Sequence, residues 1–76
     1  MRRYFFHIHN DHVTLDEDGT DLRDNHAAVA YATRAVRELA AESVEHGRFV
    51  RHHRVEVHTR VGLVATVRFD EAVKIN

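Results

Sequence analysis

Between His26 and His46 the apolar residues recur at helical spacing, and this one long stretch limits what so short a chain can build around it. At about 100° per residue, Ala28, Val29, Ala32, Val36, Leu39, Ala40, Ser43 and Val44 fall on one side. Arg34, Arg37, Glu38, Glu42 and Glu45 fall on the other. The spacing predicts an amphipathic helix with one buried face. Asp24 or Asn25 stands where a side-chain oxygen accepts the orphan N–H groups of the first turn, and Gly47 stands where a left-handed residue ends the last. Asp21 and Asp24 precede the positive end of the helix dipole while Arg48 and Arg51 follow the negative end, so the charges suit that direction. The buried stripe is mostly alanine, which lets the helix approach its partner closely and leaves the partner to supply the bulk. Tyr4, Phe5, Phe6 and Phe69 in the flanking segments supply it.

Those flanking segments alternate with the strand period. Arg3 to His9 is rich in aromatic residues, with Tyr4, Phe6 and Ile8 on one side and Phe5, His7 and His9 on the other. Asn10-Asp11 is turn chemistry, and Val13 to Asp16 alternates again with Val13 and Leu15 expected inward. The acidic run Asp16 to Asp21 leads to the helix cap. Beyond Gly47, Val55, Val57 and Thr59 alternate with Arg54, Glu56 and His58. Arg60-Val61-Gly62 turns the chain into a fourth strand, with Leu63, Ala65, Val67 and Phe69 expected inward, and Asp70-Glu71 starts a short final turn that tucks in Val73 or Ile75. The expected fold is α+β with the order ββαββ. Two hairpins form one four-stranded, mainly antiparallel sheet, and a single long helix packs on one face. Residues 1–76 make one domain. A helix of this length spans about 31 Å and strands of six or seven residues span about 20–23 Å. The helix is therefore expected to overhang the sheet, covered by Phe49-Val50 or left for a partner.

Eleven basic residues against twelve acidic ones give a net charge of -1, so the chain as a whole carries no electrostatic footprint for nucleic acid or an anionic membrane. The eight histidines change that on acidification. With no cysteine there is no disulfide or thiolate metal site to reinforce a small core. The lack of cysteine, the short apolar run after Met1 and the lack of a membrane-spanning stretch lead to the expectation of a cytoplasmic protein.

Four stretches together carry a family resemblance: Arg3-Tyr4-Phe5-Phe6-His7-Ile8, then Asp16-Glu17-Asp18-Gly19-Thr20-Asp21-Leu22, the alanine-rich helix, and Val67-Arg68-Phe69-Asp70-Glu71-Ala72-Val73. They resemble a group of short bacterial single-domain proteins of unknown function. Members typically open with R-Y-[FY]-F-x-[ILV] and carry D-E-x-G-x-E-L-P-D ahead of the helix. Here Asp21 replaces the glutamate, Arg23 the proline, and Asn10-Asp11-His12 a D-G turn. The resemblance implies this architecture and no activity.

Chemistry is expected in three places. His7-Ile8-His9-Asn10-Asp11-His12 matches H-x-H-x-D-H, the zinc signature of metallo-β-lactamase-type hydrolases, but that fold needs a far longer chain. A non-hydrolytic Zn or Ni site remains as an alternative, with His7, His9, His12 and His58 as ligands and Glu56 beside them if the first and third strands are neighbours. Solvated imidazoles on an open sheet face are the plainer account. The run from Arg48 to Arg54 can meet phosphates, giving weak nucleic-acid binding as a further alternative, although cations also suit a helix C-terminus. The leading expectation is a homodimer or another protein partner. Phe5 and Val64 are expected on the uncovered sheet face, Tyr31 on the outer helix face, and Arg51 and Arg54 in the basic connection. No enzyme and no cofactor is expected otherwise. Ser43, the sole serine, lies in the helix, and a calcium loop starting at Asp16 would place Ala27 where its last glutamate belongs.

Overall fold

The computed structural model describes residues 1–47 and 53–72. The connection that holds Arg48, Phe49, Val50, Arg51 and His52 lies outside the described residues, as do Val73 and Ile75. The long helix, α1, spans Asn25–Glu45. Asp24 has extended backbone and its side chain accepts from the Ala27 N–H at 2.8 Å, which closes the first turn. At the other end Gly47 takes φ of 75° and its N–H reaches the Val44 carbonyl at 2.9 Å.

Five strands, one more than expected, make one antiparallel sheet. They are β1 (Arg2–His9), β2 (Val13–Thr14), β3 (Thr20–Leu22), β4 (Arg54–Thr59) and β5 (Gly62–Arg68), and a short helix α2 (Phe69–Ala72) follows. The sheet runs β2-β1-β4-β5, with β3 paired to the same side of β1 as a second short piece. The expectation of four strands in the order ββαββ is thus corrected: three strands precede α1. The reason lies in the acidic run. Thr20–Leu22 returns to pair antiparallel with Arg2, Arg3 and Tyr4 instead of passing directly to the helix.

α1 lies on one face. Ala28, Ala32, Val36 and Ala40 are buried against Tyr4, Phe6, Val55, Val57, Val67, Phe69 and Ala72, the small helix stripe facing the large sheet residues as expected. Phe5, expected to add to that bulk, lies on the opposite face across from His58, because it alternates with Tyr4 and Phe6. Tyr4 is fully buried, and its hydroxyl donates to Asn25 Oδ1 at 2.6 Å, pinning β1 to the helix start. α2 is held by the Arg37 Nε donating to the Ala72 carbonyl at 3.0 Å. Val44 is exposed, since the last helical turn runs beyond the buried stripe, which ends at Ala40.

Three inward expectations are reversed by register. Val13 pairs with His9 and so shares the open face, while Leu15 leaves the sheet after the two-residue β2; both are exposed. Between Val57 and His58 the β4–β5 ladder slips, so that Val57 meets Ala65 and His58 meets Leu63. The bulge inserts Val64. Leu63 is turned out to solvent and Val64 packs on the helix side of the sheet, the opposite of the expected arrangement.

Candidate functional site

Two polar runs with strand period meet on the face that α1 does not cover. β1 and β4 are neighbours, and their register sets Phe5 opposite His58, His7 opposite Glu56 and His9 opposite Arg54. The alternating Val55 and Val57 are buried, so Arg54, Glu56 and His58 point the other way. Glu56 is the hub. Its Oε2 accepts from Arg54 Nε at 3.1 Å, its Oε1 lies 3.0 Å from His58 Nε2, and His9 Nε2 is 3.4 Å from the same oxygen. The His7 and His58 rings stand 4.7 Å apart between centroids. The His58 contact is the largest influence on Glu56; burial opposes it, Arg54 and His9 reinforce it, and the carboxyl is held below its ordinary value.

These contacts fit one set of tautomers. His7 Nδ1 accepts the Asp16 N–H at 3.0 Å, leaving its ring proton on Nε2. His9 Nδ1 faces the Arg54 guanidinium at 3.5 Å while its Nε2 faces Glu56, so it too carries the proton on Nε2. His58 directs Nε2 at the same carboxylate. His9 and His58 therefore aim protons, not lone pairs, at the Glu56 carboxylate, and the Nδ1 lone pair of His7 is already taken by the Asp16 N–H. A metal ion needs the reverse. Among the described residues no group of three or more His, Asp or Glu side chains is arranged to hold one. His12 sits apart from the other three candidates, exposed on the β1–β2 turn, where its N–H donates to Asn10 Oδ1 at 3.1 Å.

The acidic run has a structural task that its sequence was not expected to carry. Asp16 Oδ2 accepts the Phe6 N–H at 3.1 Å and Oδ1 accepts the Gly19 N–H at 3.1 Å. It thereby fills the stretch of β1 edge between β2 and β3. Burial works against its charge, but the N–H groups of Gly19, Phe6 and Asp18 and the nearby His7 outweigh it, and the carboxyl is held below its ordinary value. Next to it, Asp21 lies directly across from Arg3 and takes a two-pronged contact, at 3.0 Å from Nε and 3.1 Å from NH2. An aspartate three residues before a glycine signals a turn, but nothing in that spacing signals that the carboxylate closes a strand edge.

The remaining candidates separate. Phe5 is half-buried on the open face. Tyr31 does not stand alone on the outer helix face: its ring leans on Phe6, with the ring centroids 4.7 Å apart, at the margin of the core. Val64 belongs to the helix side, Arg51 lies outside the described residues, and Arg54 is engaged with Glu56. Ser43, His53 and Asp11 line one hollow of about 240 Å³ beside the end of α1. His53 Nε2 is 3.6 Å from Asp11 Oδ1, but the Ser43 hydroxyl donates to the Leu39 carbonyl at 3.0 Å, which holds it within the helix. No described helix is long and apolar enough to cross a membrane.

Neither a curated protein nor a solved structure matches this chain. The acidic turn, the paired strands around it and the helix all fall within residues 3–70, the span over which the chain matches DUF6894, and the protein belongs to that family, a domain of unknown function.

Proposed function

We propose that this is a cytoplasmic, non-enzymatic interaction module that binds protein, most directly a second copy of itself. The observation that carries this reading is the asymmetry of the sheet. One face is covered by α1, while on the other the described residues offer no covering element over Glu56, its imidazole and arginine partners, and Leu63, which is 58% exposed. Such a face is rigid before it meets anything, because its long polar side chains already hold one another, and association then costs less side-chain entropy. A chain of 76 residues also has little core of its own, so that burial against a partner adds stability it otherwise lacks.

Transition-metal binding is the second reading, favoured by the shared face of His7, His9 and His58 but requiring each imidazole to give up a contact it now makes. Arg54, in the run read for nucleic acid, is likewise committed to Glu56. Light scattering over the micromolar range tests the leading reading. A mass above 8.8 kDa that rises with concentration is expected. A constant single-copy mass, together with micromolar heat on adding Zn²⁺ that a His7→Ala, His9→Ala double variant abolishes, would replace it with the metal reading.

A further inference from the structure

The two edges of the sheet are finished differently. Beside β1 the edge is closed, with β3 pairing at one end, β2 at the other, and the Asp16 carboxylate accepting the Phe6 N–H between them. β5 pairs only with β4 among the described residues, and a row of its backbone N–H and carbonyl groups faces outward. Two usual deterrents to strand addition, charge and proline, are missing from most of it. The stretch from Gly62 to Val67 has no charge and no proline. Arg68 stands at its end, bound to Asp70 at 2.8 Å. The bulge at Val64 lies near the start of the strand and leaves the part from Ala65 to Arg68 regular.

We propose that a second copy of this chain adds along β5, antiparallel, with Thr66 opposite Thr66 across a two-fold axis. The proposal rests on the self-association part of the reading above, names the second copy as partner, and seats it on an edge that leaves the open face uncovered. The register follows from which side each residue faces. Ala65 and Val67, opposite the buried Val57 and Val55, lie on the helix side, whereas Thr66, opposite Glu56, lies on the open side. Setting Thr66 against Thr66 places Ala65 against Val67, so hydroxyl meets hydroxyl and apolar meets apolar. Charge selects the same direction. Antiparallel pairing in this register keeps the two Arg68 side chains four residues apart, about 13 Å along the strands, whereas parallel pairing would stack them. The assembly also ends at two copies, because each uses its open edge and keeps its closed edge outside. Both histidine faces then lie on one side of a continuous sheet and both helices on the other.

The chain has no cysteine, so a single introduced thiol reports the axis cleanly. Thr66→Cys is expected to cross-link to a covalent dimer under mild oxidation, while Ala41→Cys, on the exposed side of α1, stays single. Thr66→Lys, at an exposed position, is expected to shift the scattering mass to that of one copy with an unchanged circular dichroism spectrum. A wild-type protein of single-copy mass at every concentration overturns both this edge and the self-association reading. A dimer that survives Thr66→Lys, or cross-links equally through Ala41→Cys, overturns the edge alone.

Discussion

Gly19 turns the chain where no other residue fits. Its φ is 77°, and a Cβ built there would stand 2.9 Å from Arg3 Cγ, 2.9 Å from the Phe5 ring and 3.0 Å from the Tyr4 carbonyl oxygen. Gly47 shares the left-handed conformation, with φ of 75°, but has nothing within 4 Å. Comparing the two separates conformational cost from crowding. Gly47→Ala is expected to cost about 1 kcal/mol, the price of that backbone region for an L-residue. Gly19→Ala carries the same cost plus a collision with a backbone oxygen, toward the top of a range of about 1–3 kcal/mol. Urea melts of both variants test the difference, and equal losses would show that the turn yields without strain. The carboxylate that this turn wraps, Asp16, was not legible beforehand. Its acidic neighbours Glu17, Asp18 and Asp21 gave a charge run in which no one carboxylate stood out, and its task depends on a β1 edge that the two short strands leave bare.

At the scale of elements, closeness of approach decides the packing of α1 on the sheet. Ala28 and Ala32 are 0% exposed and Ala40 is 1%, so there is no spare room along the stripe. Ala32→Leu adds three carbons in the middle of that contact and is expected to destabilise by about 1–3 kcal/mol through overpacking. A urea midpoint unchanged from wild type would mean that the helix can ride further from the strands than its buried alanines indicate. The helix was legible because period, cap and terminating glycine agreed on it. So was the histidine face, once β1 and β4 were neighbours, since His7-x-His9 and Arg54-x-Glu56-x-His58 both alternate with apolar residues. β3 was hidden because three residues with an aspartate in the middle carry no strand signature, and pairing with Arg3 supplies what propensity does not. The Val64 bulge was hidden for a different reason. Leu63, Val64 and Ala65 are all apolar, so alternation fixes no phase there, and Leu63 was assigned inward when it faces solvent.

For the molecule as a whole, a single core in so short a chain contributes only about 3–5 kcal/mol, so one carboxylate can govern its acid stability. Asp16, Asp21 and Glu56 are all held below their ordinary values in the folded chain. For Asp21 the Arg3 contact is the largest cause, but both groups are exposed and solvent screens the effect. A carboxyl with a depressed folded pKa gives its full stabilisation above its unfolded value, near 4 for aspartate, and loses it as pH falls through the lower folded value. Stability is therefore expected to change little in these groups' contribution from neutrality to about pH 5, then to fall on further acidification. Asp16→Asn keeps one acceptor oxygen and replaces the other with a donor, leaving either the Phe6 or the Gly19 N–H unmatched. At neutral pH that is expected to cost about 1–3 kcal/mol, and the variant's acid profile should be shallower than that of the wild type. Urea midpoints measured for both proteins at neutral pH and on acidification decide the matter. Parallel profiles would assign the acid sensitivity to other carboxylates and deny Asp16 its part in closing the β1 edge.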